Sequence, residues 1–218
     1  MLKDSPKIPR FLVVEGPIGV GKTSLVRRLA SHFQSEMLLE GAEENPFLQR
    51  FYENPREAAL PAQLFFLFQR SRQWNGLVQD DLFRQHLIAD FMLEKDQLFA
   101  QINLDKDELS LYEQVYQQLT LQAPPPDLVV YLQAPVVTLM SRIKKRARPQ
   151  EKTIEASYLE KLCDAYTDFF YYYDRSPLLI INAAEINPLE RQQDFDLLIE
   201  HISSEGPDRR YLNPTMSL

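Results

Sequence analysis

A single cysteine, Cys163, occurs among 218 residues, so no disulfide can form within the chain. It sits in a helical apolar pattern and reads as a small core residue rather than a nucleophile. No apolar run approaches the ~18 residues a membrane span requires, and Met1 to Arg10 carries neither a signal core nor an arginine-rich transit pattern. The expectation is a cytoplasmic protein without a membrane partner. Positive charge is also in short supply: 24 Lys and Arg stand against 31 Asp and Glu, a formal net charge of −7. A nucleic-acid binder needs a strong basic footprint, and the chain as a whole lacks one. Internal repeats and domain-scale linkers are absent too, so residues 1–218 are expected to form one domain, with a polar C-terminal tail over about 204–218.

What is present is an alternation of short apolar runs with amphipathic stretches. Strands are predicted at Phe11–Glu15, Met37–Glu40, His86–Asp90, Asp127–Leu132 and Leu178–Asn182. Helices are predicted over Gly21–Phe33, Glu57–Trp74, Lys95–Asn103, Lys106–Leu121, Val136–Lys145, Thr153–Tyr173 and Leu189–Ile202. Strands that alternate with helices imply a mostly parallel sheet covered on both faces, an α/β three-layer architecture.

The chemistry is concentrated between the first strand and the first helix. Gly16-Pro17-Ile18-Gly19-Val20-Gly21-Lys22-Thr23 fits G-x-x-x-x-G-K-[ST], the P-loop, and Ser24 continues it into the helix. Glycines let successive backbone N–H groups turn toward phosphate oxygens, and the helix start adds its positive dipole end. Lys22 supplies a point charge for the β and γ phosphates, and the Thr23 hydroxyl suits a Mg²⁺ bridging them. ATP and Mg²⁺ are therefore the expected ligands. Three further candidates lie at strand ends, where open α/β sheets bind ligands. Glu40 reads either as a proton acceptor for an attacking hydroxyl or as a solvated acid beside Glu43 and Glu44. Asp90 reads either as a Mg²⁺ ligand or as a turn or helix-capping aspartate. Arg142, Arg146 and Arg148, with Lys144 and Lys145, load a helix end and the following loop with positive charge. That pattern suits a short basic lid over about 142–152 that closes on phosphates.

These segments together resemble the deoxyribonucleoside kinase family, most closely its bacterial deoxyadenosine/deoxyguanosine branch. The similarity is carried by Glu15 through Ser24, by Leu39-Glu40 with the Glu44–Glu53 segment, by Leu60-Pro-Ala-Gln63, by the Arg142–Glu151 lid, and by Tyr158–Leu162 and Ser176–Asn182. The resemblance implies a P-loop kinase fold with a five-stranded parallel sheet and a homodimer formed through a helical bundle. It implies Glu40 as general base on the nucleoside 5′-hydroxyl, Gln63 on the base edge, and Tyr52 and Glu151 on the sugar 3′-hydroxyl. Asp90 would serve both acceptor and metal, and Lys22, Arg142, Arg146 and Arg148 would contact ATP phosphates. One position departs from the family pattern. Where many members carry an arginine after the acid, this chain has Asp90-Phe91-Met92, and Arg72 or Lys95 is the basic side chain available to compensate. Two rival readings are a kinase of a nucleoside monophosphate, which would draw its clamp from Arg56, Arg70 and Arg72, and a non-catalytic nucleotide-binding or structural subunit.

Overall fold

The computed structural model describes residues 8–79, 86–119, 124–204 and 206–212. Six parallel strands form one sheet in the order β2-β3-β1-β4-β5-β6. They are β1 (Phe11–Glu15), β2 (Glu36–Leu38), β3 (Leu87–Ala89), β4 (Leu128–Gln133), β5 (Leu178–Asn182) and β6 (Arg209–Leu212). The helices are α1 (Lys22–Phe33), α2 (Leu48–Glu53), α3 (Pro55–Gln79), α4 (Glu94–Asn103), α5 (Lys106–Leu119), α6 (Val136–Arg146), α7 (Ala156–Tyr172) and α8 (Gln192–Ser203).

Every residue of β1 is buried, as expected of a central parallel strand with helices on both faces. Leu12 pairs with Ile88 on one side and with Leu128 on the other, so β1 is the point from which the strand order runs in both directions. A crevice opens beyond the C-terminal ends of strands at such a point. Asp127 Oδ2 anchors the entry to β1 by accepting from Arg10 N at 2.8 Å and Phe11 N at 2.9 Å. A second, smaller core gathers Leu48, Phe51, Ala58, Ala62, Leu67, Leu104 and Tyr112, which packs α2, α3, α4 and α5 together beside the crevice. No helix among the described residues is long and apolar enough to cross a membrane.

The α/β parallel-sheet architecture agrees with the sequence reading, with two additions. The sixth strand, β6, lies in what reads as a polar tail, because only Leu212 of Arg209-Arg-Tyr-Leu212 is buried. The short α2 has no counterpart in the sequence reading, and six residues are too few to display a helical period. The remaining differences are at ends: α7 begins at Ala156 and α8 at Gln192, three residues after the predicted starts. The predicted Leu121, and the tail at residues 205 and 213–218, lie outside the described residues.

Candidate active site

The turn from β1 into α1 can be made only with glycine at two places. Gly16 has φ 146°, and a Cβ there would lie 2.3 Å from the Leu132 carbonyl oxygen. Gly19 has φ 84°, and its Cβ would meet Ile143 Cγ1 at 2.8 Å. Both residues combine left-handed backbone with close packing, which no larger residue tolerates. Beneath the turn, the fully buried Glu15 carboxylate accepts from Gly16 N at 2.9 Å, Met92 N at 3.1 Å and the Tyr166 hydroxyl at 2.9 Å. This carboxylate therefore ties the P-loop to the start of the β3–α4 connection and to α7.

Lys22 Nζ donates to the carbonyls of Gly16 at 2.6 Å and Pro17 at 3.3 Å. Burial, reinforced by the nearby positive charge of Lys95, lowers its pKa to about 7. Thr23 Oγ1 donates to Asp90 Oδ2 at 2.5 Å, and Asp90 Oδ1 accepts from Glu40 N at 2.8 Å. One buried aspartate at the end of β3 thus joins the P-loop hydroxyl to the backbone that presents Glu40. Among the described residues, no group of three or more His, Cys, Asp or Glu could cage a metal by itself. The Thr23–Asp90 pair fits the different demand of a Mg²⁺ carried on phosphates, which needs only one or two protein oxygens.

One cavity collects most of the predicted residues. Ile18, Gly19, Lys22 and Thr23 line it from the P-loop, Glu40 and Asp90 from the strand ends, and Tyr52 and Gln63 from α2 and α3. Arg146, Arg148 and Glu151 line it from the lid side. Glu151 is buried, and its Oε2 accepts from Arg146 Nε at 3.1 Å and Nη2 at 2.5 Å. Arg148 Nη1 stands 3.8 Å from Glu151 and 3.7 Å from Glu43. Burial, with the charges of Tyr158 and Glu151 adding to it, pushes the Tyr52 phenol well above its ordinary range.

Arg142, expected on the phosphates, sits beside the P-loop backbone. It is not part of this cavity. Its guanidinium donates to the Val20 carbonyl at 2.9 Å and the Ala183 carbonyl at 2.7 Å. It lines a smaller neighbouring hollow with Val20, Gly21, Leu132 and Leu189. One helical turn separates it from Arg146, and that turn sets it level with the backbone behind the P-loop. Gly16 and Pro17 are buried behind the cavity surface, and Ser24 is exposed on α1.

Of the groups that hold Glu40, the sequence reading names Lys95 as a compensating basic side chain and offers Arg70 only to a monophosphate clamp; it does not name Asp96. Arg70 reaches from α3 and donates one nitrogen to Glu40 Oε1 and another to Asp96 Oδ1 on α4. Lys95 Nζ lies 3.0 Å from Glu40 Oε1 and 3.1 Å from Oε2. Of the two candidates for the missing arginine, Lys95 reaches the acid. Arg72 is exposed and bonds back to the Phe68 carbonyl of its own helix at 3.2 Å. A signal for Arg70 does exist in the sequence: Gln63, Phe66 and Arg70 are spaced i, i+3, i+7, one face of a helix, and all three line the cavity. Asp96 is fully buried, and burial raises its pKa to about 6 against the opposing charge of Arg70. Arg56, invoked for a monophosphate clamp, is exposed at the start of α3 and outside the cavity.

Comparison with known proteins identifies relatives of this chain. The family profile described as deoxynucleoside kinase matches residues 12–205. A deoxyguanosine kinase of Bacillus subtilis is 40% identical over 157 residues, which cover 72% of this chain and 76% of that one. A deoxyadenosine kinase of Lactobacillus acidophilus is 27% identical over 192 residues, covering 82% and 87%. Among solved structures, deoxyadenosine kinase from M. mycoides with bound dATP superposes with a TM-score of 0.76 at 26% identity, covering 89% of this chain and 100% of that one. A P-loop, an acid poised across a cavity from it and a match that runs nearly end to end lead to one conclusion: this chain belongs to the deoxynucleoside kinase family and is a phosphotransferase acting on deoxynucleosides.

Proposed function

We propose that the chain transfers the γ-phosphoryl group of ATP to the 5′-hydroxyl of a purine deoxyribonucleoside. The observation that carries this reading is the Glu40 carboxylate, held by Arg70 and Lys95 in the same cavity as Lys22 and Thr23. An acceptor hydroxyl between them would have a proton acceptor on one side and the phosphate cradle on the other. A bond forms between the 5′-oxygen and the γ-phosphorus, the bond from that phosphorus to the β–γ bridging oxygen breaks, ADP leaves, and the hydroxyl proton passes to Glu40. Lys22 and the N–H groups of the P-loop hold the phosphates, and Arg146 and Arg148 approach from the lid. Thr23 and Asp90 would hold Mg²⁺, whose chemistry there is to neutralise charge shared between phosphate oxygens.

The purine preference is supported by relatives that are deoxyguanosine and deoxyadenosine kinases. In the cavity Gln63 offers an amide donor and acceptor to a base edge. Tyr52 and Glu151 would take the 3′-hydroxyl. The same reading includes one domain, a cytoplasmic setting and a homodimer. Exposed Phe68 on α3 and Leu111 on α5 offer apolar surface for such pairing.

The test is turnover with ATP and Mg²⁺ across deoxyribonucleosides, ribonucleosides and monophosphates, run on the wild type and Glu40→Gln. Purine deoxyribonucleosides should be the best acceptors, and Glu40→Gln should lose about 10²–10⁴-fold in kcat with ATP binding intact. Preferred monophosphate turnover, or full kcat in Glu40→Gln, would refute the reading.

A further inference from the structure

We infer that Arg28 is a positioning residue for the phosphate donor, acting through Pro188 and Leu189 to hold the wall against which the donor's base rests. The inference rests on the reading of ATP as the donor. The P-loop separates two depressions. Ile18, Gly19, Lys22 and Thr23 face the cavity that holds Glu40, whereas Val20 and Gly21 face the smaller hollow beside it. In-line transfer points the leaving ADP away from the acceptor, so the donor's nucleoside belongs on the side of the loop remote from Glu40. The hollow suits a flat heterocycle better than a phosphate. Leu25, Leu132, Ile186, Pro188 and Leu189 make it apolar, and its arginine, Arg142, is committed to the Val20 and Ala183 carbonyls.

Arg28 stands behind this wall. Gly21, Leu25 and Arg28 are spaced i, i+4, i+7, so one face of α1 leads from the P-loop to the guanidinium. Its Nη1 donates to the Pro188 carbonyl at 2.8 Å and the Leu189 carbonyl at 2.9 Å, and its Nη2 to Gln192 Oε1 at 2.6 Å. The guanidinium carbon lies 4.1 Å from the centre of the Phe195 ring on α8. Among the described residues, no other hydrogen bond joins α1 to residues 187–192. The segment has internal braces of its own: Asn187 N donates to Asp194 Oδ2 at 2.5 Å, and Arg191 pairs with Asp194 at 2.6 Å. What Arg28 adds is the distance of that segment from the P-loop. Leu189 comes so close that a Cβ on Gly21 would lie 3.3 Å from its Cδ1. A shift of the wall would change what a base touches while leaving in place the loop that grips phosphates.

The experiment compares the full-length wild type with Arg28→Met, using the best acceptor from the panel. Two quantities are measured: the KM for ATP, and the inhibition constant of inorganic triphosphate, which carries the phosphates without a base. Methionine keeps an aliphatic stem over Phe195 and loses the fork. Arg28→Met should raise the KM for ATP about tenfold, the size of one or two lost hydrogen bonds, with kcat held within about threefold. The inhibition constant of triphosphate should stay within about twofold, because the P-loop holds phosphates by its own N–H groups and Lys22. An unchanged KM for ATP, an equal loss toward ATP and triphosphate, or a loss confined to kcat would each overturn the proposal. Should Arg28→Met not fold, Arg28→Lys, which cannot span the three acceptors, enters the same comparison with the same criteria. A wild type that draws no phosphate from ATP would instead remove the underlying reading of the donor, so the two failures remain separable.

Discussion

Replacing Arg70 by Met should strand the buried Asp96 carboxylate beside the site. Asp96 is fully buried, and with Arg70 in place its pKa is about 6, raised by burial from an ordinary value of 3.8. An acid raised in the folded state is penalised above its folded pKa, and the penalty disappears as the pH falls toward its unfolded value. Without the opposing charge of Arg70, the folded pKa moves up further. The wild type and the variant then carry the same Asp96 penalty below about pH 6, where both take up a proton on folding. Above that point they diverge by about 1.4 kcal/mol per pH unit until the variant's own folded pKa is reached. Urea denaturation at about pH 5.5 and about pH 7.5 measures the difference. Arg70→Met should be destabilised more at the higher pH, and Asp96→Asn added to it should abolish that pH dependence. A loss equal at both values, or one that Asp96→Asn leaves untouched, would refute the idea that Arg70 serves Asp96 electrostatically.

Two further predictions concern the P-loop and its brace. Gly16→Ala sets a Cβ against the Leu132 carbonyl oxygen in left-handed backbone, so it should cost more than about 2 kcal/mol of stability and weaken ATP binding, both measurable by thermal unfolding with and without nucleotide. Wild-type stability in Gly16→Ala would show that the turn can be redrawn. Tyr166→Phe removes one of three donors to the buried Glu15 carboxylate and should cost about 1–3 kcal/mol, with an unchanged denaturation midpoint counting against the brace.

The parts legible in the sequence are those whose chemistry is local. The P-loop announces itself because its strand, glycine turn, lysine and helix are contiguous, and Glu40 and Asp90 follow from lying just beyond short apolar runs. The lid was legible as a charge run, but its members divide by height along α6. Arg146 enters the cavity, while Arg142, one turn earlier, binds the backbone carbonyls of Val20 and Ala183. Arg70 and Asp96 were not legible as a pair because their meeting depends on how α3 crosses α4, a tertiary distance that no spacing within either helix encodes. The strand β6 escaped for a related reason: at the sheet edge only Leu212 is buried, so the alternation that identifies a strand is missing.

The cavity also inverts the charge of the molecule that contains it. Six basic and four acidic side chains line it, in a chain whose formal charge is −7. A polyphosphate approaching from a distance therefore meets an anion, and beyond a Debye length of about 8 Å in physiological salt it meets almost nothing. Attraction begins only at the mouth, where the arginines of the lid face the P-loop lysine. Capture is thus a contact-range event rather than long-range steering, and moderate added salt should relieve the outer repulsion more than it weakens the inner grip.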